Sequence, residues 1–182
     1  MLDFRVFHYA APPRTGNGWI LEASRVVGIK ISDAEAVSIP FPKERGKQEV
    51  FRVSLVRNPC DWLRSCYAAL LNGDIYPDSV SAFGSIPRGS FFEFVNSYLN
   101  IMPGGIGHLF RCYKADSYLR IEDMPWAFIE LLESLQVPKV LRDKCRELPA
   151  ANVSLHLPRW NPHQRAAVVQ VESELCETYD YS

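Results

Sequence analysis

The sequence predicts an α/β fold in which a mainly parallel sheet is covered by helices on both faces. Segments 4–9, 50–56 and 117–121 are rich in β-branched and aromatic residues, as strands are. Apolar residues at helical spacing follow each of them. Because parallel strands need a long crossover connection, strands that alternate with helices are typical of a parallel sheet.

The first third of the chain predicts a strand, a loop and a helix. After the strand at 4–9, residues 10–18 hold too many Pro and Gly residues for regular structure. A helix is expected from Trp19 to Val27, and Gly28 is a suitable C-terminal stop. A short second strand is expected at 29–32.

The central segment predicts the strongest strand and a well-capped helix. Strand 50–56 leads into Asn58, which suits an N-cap, and Pro59, which suits the first helical position. The helix should end near Asn72 and bury one face, and residues 74–89 should form a loop. The inward residues are expected to be Trp62, Leu63, Cys66, Ala69 and Leu70.

The second half predicts five further elements before an acidic tail. A capping box at Ser90 opens a helix that the Pro-Gly-Gly run at 103–107 should end. The remaining elements are a strand at 117–121, a helix at 126–135, and helices after Pro138 and at Asn161. The aromatic residues Phe91, Phe92, Phe94 and Tyr98 are expected in the core.

Length and charge set limits on size and partners. The 182 residues suit one domain that spans 1–182. The formal net charge of -1 argues against broad nucleic-acid binding, which needs excess positive charge. This net charge is still compatible with a local basic pocket that binds a small anion. Apolar stretches are short, so no membrane span is expected.

The cysteines and the first residues indicate the compartment. The five cysteines are odd in number and include no C-x-x-C pair, which argues against a zinc ribbon and a disulfide framework. The first residues lack the layout of a signal peptide. A cytoplasmic protein is therefore expected.

Two segments that follow strands could bind an anion. Residues 13–19 combine glycines, Arg14 and a helix N-terminus, all of which favour phosphate. The Walker pattern is absent, which argues against an ordinary ATP or GTP hydrolase. Arg57 ends the central strand, and Ser65 lies in the following helix. The structural alternatives are an ordinary turn at 13–19, an Arg57–carboxylate pair and an incidental Ser65.

These two segments together resemble the motifs of one enzyme family. P-R-T-G-N-G-W is similar to the P-K-S-G-T-T-W loop of sulfotransferases that use 3′-phosphoadenosine 5′-phosphosulfate (PAPS). R-N-P-C-D-W-L-R-S-C-Y is similar to the second motif of that family, R-x-P-x-D-x-x-x-S-x-Y. Residues 118–124 also resemble its "YEDL" segment, and the acidic, Tyr-rich tail 172–181 resembles that of short bacterial and carbohydrate members.

The resemblance implies a P-loop-like sheet and a role for each matched residue. Arg14, Thr15, Gly16, Asn17, Gly18 and Trp19 would hold the 5′-phosphosulfate, with Arg14 neutralising the bridge as it breaks. Arg57 and Ser65 would bind the 3′-phosphate, and Arg159 would add a phosphate contact. PAPS is then the co-substrate and adenosine 3′,5′-bisphosphate (PAP) the product, and no metal is expected.

The chain departs from the family pattern at three places. Arg14 replaces a Lys, and Asn17-Gly18 replaces two hydroxyl residues. The family takes the acceptor proton with a His or Glu after its second strand, where this chain offers Asp33 first and Glu35 second. Another alignment puts Ser38 there and leaves no base. His108, His156 and His163 are more distant candidates.

The predicted reaction is sulfuryl transfer from PAPS to the hydroxyl of a small molecule or carbohydrate. Loops 74–89 and 102–110 are the candidates for the acceptor cleft. One alternative is a divergent P-loop kinase for nucleotides or small molecules. The other is a non-catalytic nucleotide-binding module that has lost its base.

Overall fold

Three parallel strands form the sheet in the described part of the chain. The computed structural model describes residues 7–29, 51–73, 89–149 and 157–181. Strands β1 (His8–Tyr9), β2 (Arg52–Val56) and β3 (Ser117–Arg120) pair in the order β1-β2-β3, and both pairings are parallel. The prediction of a mixed α/β fold with parallel strands is confirmed. Residues 4–6, 30–32 and 50 of the predicted strands lie outside the described residues.

Eight α-helices lie in the same ranges. They are α1 (Asn17–Val27), α2 (Pro59–Leu71), α3 (Phe91–Ile101), α4 (Gly105–Arg111), α5 (Trp126–Ser134), α6 (Lys139–Arg146), α7 (Pro162–Val171) and α8 (Ser173–Thr178). A single 3₁₀ turn, Ile121–Asp123, follows β3 directly. No helix in the described ranges has both the length and the apolarity needed to cross a bilayer.

The predicted helix boundaries are confirmed where a local cap defines them. Asn58 Oδ1 accepts hydrogen bonds from the amides of Cys60, at 2.9 Å, and Asp61, at 3.4 Å. Ser90 and Glu93 form the expected capping box. Gly28 ends α1 in the left-handed conformation, with φ 73°. These caps act within one turn of chain, so the sequence alone specifies them.

Two expectations are corrected. Residues 105–111 form α4 rather than an open acceptor loop. Phe92 is 51% exposed, although Phe91, Phe94 and Tyr98 are buried as predicted. Phe92 follows Phe91 directly, and neighbouring residues of a helix do not share a face.

The chain divides into two compact units. The first contains residues 1–56 and 113–153, and the second contains 57–112 and 154–182. Each unit is built from two separate stretches, so neither is a continuous segment of sequence. The expectation of one domain over 1–182 stays a prediction.

The core of the first unit lies between the sheet and α1, α5 and α6. Phe128 is fully buried there, and its ring meets the edges of Trp19, at 5.7 Å, and Phe7, at 6.5 Å between centroids. Val53 and Leu55 from β2 belong to the same cluster. This packing anchors α1, whose first turn carries the first predicted anion site.

The core of the second unit is built on α2. Its predicted inward residues, Trp62, Leu63, Cys66, Ala69 and Leu70, are all buried. The Trp62 ring meets the edge of Phe110 at 6.3 Å. Gln164 donates hydrogen bonds to the Phe92 carbonyl, at 2.8 Å, and to Asn96, at 2.7 Å, and so joins α7 to α3.

Phe128→Ala should destabilise the chain by about 3–5 kcal/mol, because it removes a buried ring and leaves a cavity. Phe92→Ala deletes the same group from an exposed position and should change stability by less than about 0.5 kcal/mol. Urea denaturation of both variants measures the difference. Equal losses would contradict the core assignment.

Candidate functional site

The turn between β1 and α1 is fixed by buried polar contacts. Thr15 is fully buried, and its hydroxyl donates a hydrogen bond to the Pro12 carbonyl. The Tyr9 hydroxyl donates to Asn17 Oδ1 at 2.8 Å. Burial raises the pKa of Tyr9 well above its ordinary value, so this hydroxyl stays protonated and remains a donor. Thr15 therefore holds the shape of the turn, which sequence reasoning did not predict.

Gly16 brings this turn against the end of β3. Its φ of 90° is in the left-handed region, and a Cβ at this position would collide with the side chain of Ile121. Ile121 opens the 3₁₀ turn that follows β3. The turns that follow β1 and β3 therefore meet through this contact, at the edge of the sheet where α/β proteins bind ligands.

The N-terminus of α1 has neither a side-chain cap nor an acidic residue in its first turn. By contrast, α2, α3 and α7 are capped by Asn58, Ser90 and Asn161. The first amides of a helix have no acceptor within it and carry partial positive charge. This end of α1 is thus suited to an anion, and the half-buried Arg14 lies beside it.

Trp19 contributes to this turn mainly through packing. Its indole is 7% exposed and lies in the core against Phe128. Its amide donates to the Gly16 carbonyl at 3.1 Å, which closes the first turn of the helix.

A second glycine-capped helix, in the other unit, donates two of its first amides to a buried carboxyl group. Gly104, with φ 76°, precedes α4. The buried Glu172 carboxylate accepts hydrogen bonds from the amides of Ile106, at 3.1 Å, and Gly107, at 2.7 Å. It also accepts one from the buried Tyr98 hydroxyl. Glu172, which lies between α7 and α8, therefore provides the acceptor for the first-turn amides of α4.

The second predicted segment lies in the unit that contains α2. Arg57 is half-buried and directly precedes Asn58, the cap of α2. Ser65 is 5% exposed on the same helix. The neighbouring Arg64 pairs with Asp61 at 3.4 Å. Ser65 thus lies on α2, and Arg57 lies just before the N-cap of the same helix, in the stretch of chain that follows β2.

Arg159 lies on an anchored segment of the second unit. Its side chain is exposed, and the next residue, Trp160, packs edge-on against Phe91 at 4.9 Å. Asn161 then caps α7 with its side chain.

The predicted base lies outside the described residues. Asp33, Glu35, Ser38 and His156 are all in segments that are not described, as is most of loop 74–89. His108 and His163 are exposed. None of the five cysteines, all of which lie in the described ranges, forms a disulfide, and burial raises the pKa of Cys60 to about 12. Among the described residues, no three His, Cys, Asp or Glu side chains are grouped as metal ligands.

Comparisons with protein-family models, with curated proteins and with solved structures found no match for the chain.

Gly16→Ala should lower the free energy of unfolding by about 2–4 kcal/mol, through left-handed strain together with the collision with Ile121. Gly28→Ala is a matched control, since its φ is 73° and an added Cβ meets nothing within 4 Å. It should cost about 1–2 kcal/mol from strain alone. The Gly16→Ala/Ile121→Ala pair should cost less than the sum of its single changes. If urea denaturation shows that the free-energy costs of Gly16→Ala and Ile121→Ala simply add, the contact between the two residues is contradicted.

Glu172 should make stability depend on pH. Burial raises its pKa above the ordinary value of 4.5, although hydrogen bonds from Tyr98 and the amides of Gly107 and Ile106 oppose the shift. Protonation therefore favours the folded state, a contribution that is complete below the ordinary pKa and is lost as pH rises through the folded pKa.

Glu172→Gln does not titrate, so its stability relative to the natural chain should improve as pH rises above the ordinary pKa of 4.5. Urea denaturation across this range checks the trend. Glu174→Gln, at the exposed partner of Arg111, is the control. A pH-independent difference for Glu172→Gln would overturn the expectation.

Proposed function

We propose that this chain is a PAPS-dependent sulfotransferase that transfers a sulfuryl group to an acceptor hydroxyl and releases PAP. The observation that carries the proposal is the glycine-capped N-terminus of α1. It follows a parallel strand, has no side-chain cap or acid in its first turn, and lies beside Arg14. A phosphosulfate supplies the anionic oxygens that such a helix end attracts.

The Glu172 turn supports this interpretation from within the chain. Gly104 and Gly16 have the same left-handed conformation before a helix, and the former turn binds a carboxylate through two amides. The Gly16 turn differs because Arg14 adds positive charge. We therefore assign the 5′-phosphosulfate to residues 14–19.

Arg57 and Ser65 are assigned the 3′-phosphate. A guanidinium can bind phosphate through two parallel hydrogen bonds, and a serine hydroxyl adds another donor. Their association with one capped helix, α2, supports a joint role. Arg159 is assigned a supporting phosphate contact. A 3′-phosphate is what distinguishes this donor from ATP.

The proposed step is an in-line displacement at sulfur. The acceptor oxygen bonds to sulfur as the bond between sulfur and the bridging oxygen of the phosphosulfate breaks. That oxygen leaves on PAP, and the acceptor proton passes to Asp33 or Glu35. Arg14 stabilises the charge that develops on the bridge.

The proposal extends to the architecture and the compartment. It includes a P-loop-like sheet with helices on both faces and no bound metal. Free cysteines are typical of the cytoplasm, which we propose as its location.

Arg57→Ala should weaken PAP binding by about 1.5–3 kcal/mol, the value of a charged hydrogen bond, and leave binding of adenosine 5′-phosphate unchanged. Isothermal titration calorimetry with both nucleotides measures this selectivity. Arg64→Ala, which removes an equal charge from the residue next to Ser65 on α2, is the matched control. Equal losses for both nucleotides would reject the assigned role, and preference for Mg-ATP over PAP would favour a kinase.

Arg14→Asn should lower turnover more than PAP affinity, because the charge it faces grows in the transition state. Asparagine tolerates the left-handed φ of 66° at this position, so the folded state should be retained. Transfer of labelled sulfate from PAPS to a panel of hydroxyl acceptors measures turnover, with Arg25→Asn on α1 as the control. Full activity of Arg14→Asn would contradict its catalytic role.

A further inference from the structure

An exposed tryptophan and an arginine form a preorganised pair in the first unit. Trp126, the first residue of α5, is 58% exposed. The guanidinium of Arg146, near the end of α6, lies 5.3 Å from the centre of its ring. We call these two side chains the Trp126–Arg146 pair.

The Arg146 guanidinium contacts the Asp143 carboxylate as well as the Trp126 ring. Arg146 Nη1 donates to Asp143 Oδ1 at 2.6 Å, and Asp143 also accepts from Lys139 at 2.8 Å. The hydrogen bond from Lys139 lowers the pKa of Asp143, so this carboxylate stays ionised at neutral pH. Fixing a long side chain in advance reduces the entropy lost when a ligand binds.

The pair lies at the ligand-binding edge of the sheet. In a strand-to-helix connection, the start of the helix lies beyond the carboxyl end of the strand. Only the turn at 121–125 separates β3 from Trp126, and Ile121 in that turn contacts Gly16. The pair and the turn that carries Arg14 are therefore on the same edge of the first unit.

The surroundings favour a charged polar ligand over a protein surface. Helix α6 carries four cations and one acid, a surplus of three positive charges. Glu133 neutralises one of them by pairing with Arg142 at 2.7 Å. Lysine and aspartate are usually depleted at protein interfaces, whereas α6 carries Lys139, Asp143 and Lys144. A net charge of -1 for the whole chain disfavours nucleic acid.

We infer that the Trp126–Arg146 pair binds an acidic sugar of the acceptor. The indole offers a flat apolar surface to the C–H face of a sugar ring, and Arg146 pairs with its carboxylate or sulfate substituent. The assignment of this sugar to the acceptor rests on the proposed sulfotransferase function. It makes the preferred acceptor an anionic glycan rather than a neutral one.

Titration calorimetry of the full chain with hexagalacturonate, neutral maltohexaose and a thymidine hexanucleotide tests the inference. Hexagalacturonate should bind more tightly than the other two. Trp126→Ala and Arg146→Gln should each weaken it by about tenfold or more. Arg146→Lys, which keeps the charge but loses the planar fork, should recover part of the loss.

Two variants control for exposure and charge. Phe92→Ala removes another exposed aromatic ring, and Arg111→Gln removes another exposed arginine. Both should bind hexagalacturonate as the natural chain does. Equal weakening by the controls, tighter binding of the hexanucleotide, or no binding of hexagalacturonate would each overturn the inference.

PAP titrations of the same variants separate this inference from the proposed function. Trp126→Ala should keep its PAP affinity. Failure of hexagalacturonate binding with PAP binding intact overturns the sugar surface alone. Absence of PAP binding with Trp126-dependent hexagalacturonate binding overturns the sulfotransferase proposal and supports the surface.

Discussion

The contact between Gly16 and Ile121 is the constraint on which the first candidate site depends. It places the turn after β1 against the turn after β3, where a Cβ on Gly16 would force the end of the Ile121 side chain to move. The buried Thr15 hydroxyl holds the same turn from within by donating to Pro12. Together they determine where α1 begins and therefore where its amides are presented. Trp19 and Phe128 then anchor the helix in the core.

The two helices that begin after a left-handed glycine, at Gly16 and Gly104, share a backbone conformation but differ in what surrounds their first amides. At Gly104 the amides are satisfied by Glu172, whose carboxylate is buried and also accepts from Tyr98. That arrangement joins α3, α4 and the junction of α7 and α8, so the anion acts as part of the core. At Gly16 the first turn contains no acid, and the nearby charge is the positive Arg14. The same geometry is structural at Gly104, where Glu172 accepts from the amides, and at Gly16 it suits the anion site proposed above.

Sequence predicted most of the elements but not the tertiary contacts that define their roles. The caps at Asn58, Ser90 and Gly28 were predictable because each acts on amides or carbonyls within one turn. Helix α4 was missed because its glycine-rich start looks like a helix breaker. Its amides are stabilised by Glu172, which is far away in sequence and has no local signal. Gly16 was expected to approach a ligand, whereas its packing on Ile121 depends on strand order.

Arg14 is the residue at which local preference and proposed function disagree most clearly. Its φ of 66° is a conformation that glycine, asparagine or aspartate adopts more readily than arginine. Strain of this kind costs about 1–3 kcal/mol and persists only where the surrounding structure enforces it. Since Gly16 already provides a flexible residue in this turn, the turn does not need arginine for its shape. A positive charge held in a strained conformation at the start of a helix without a side-chain cap is consistent with the proposed anion site. The strained turn also presents the guanidinium from a fixed backbone, which reduces the conformational entropy lost when an anion binds there.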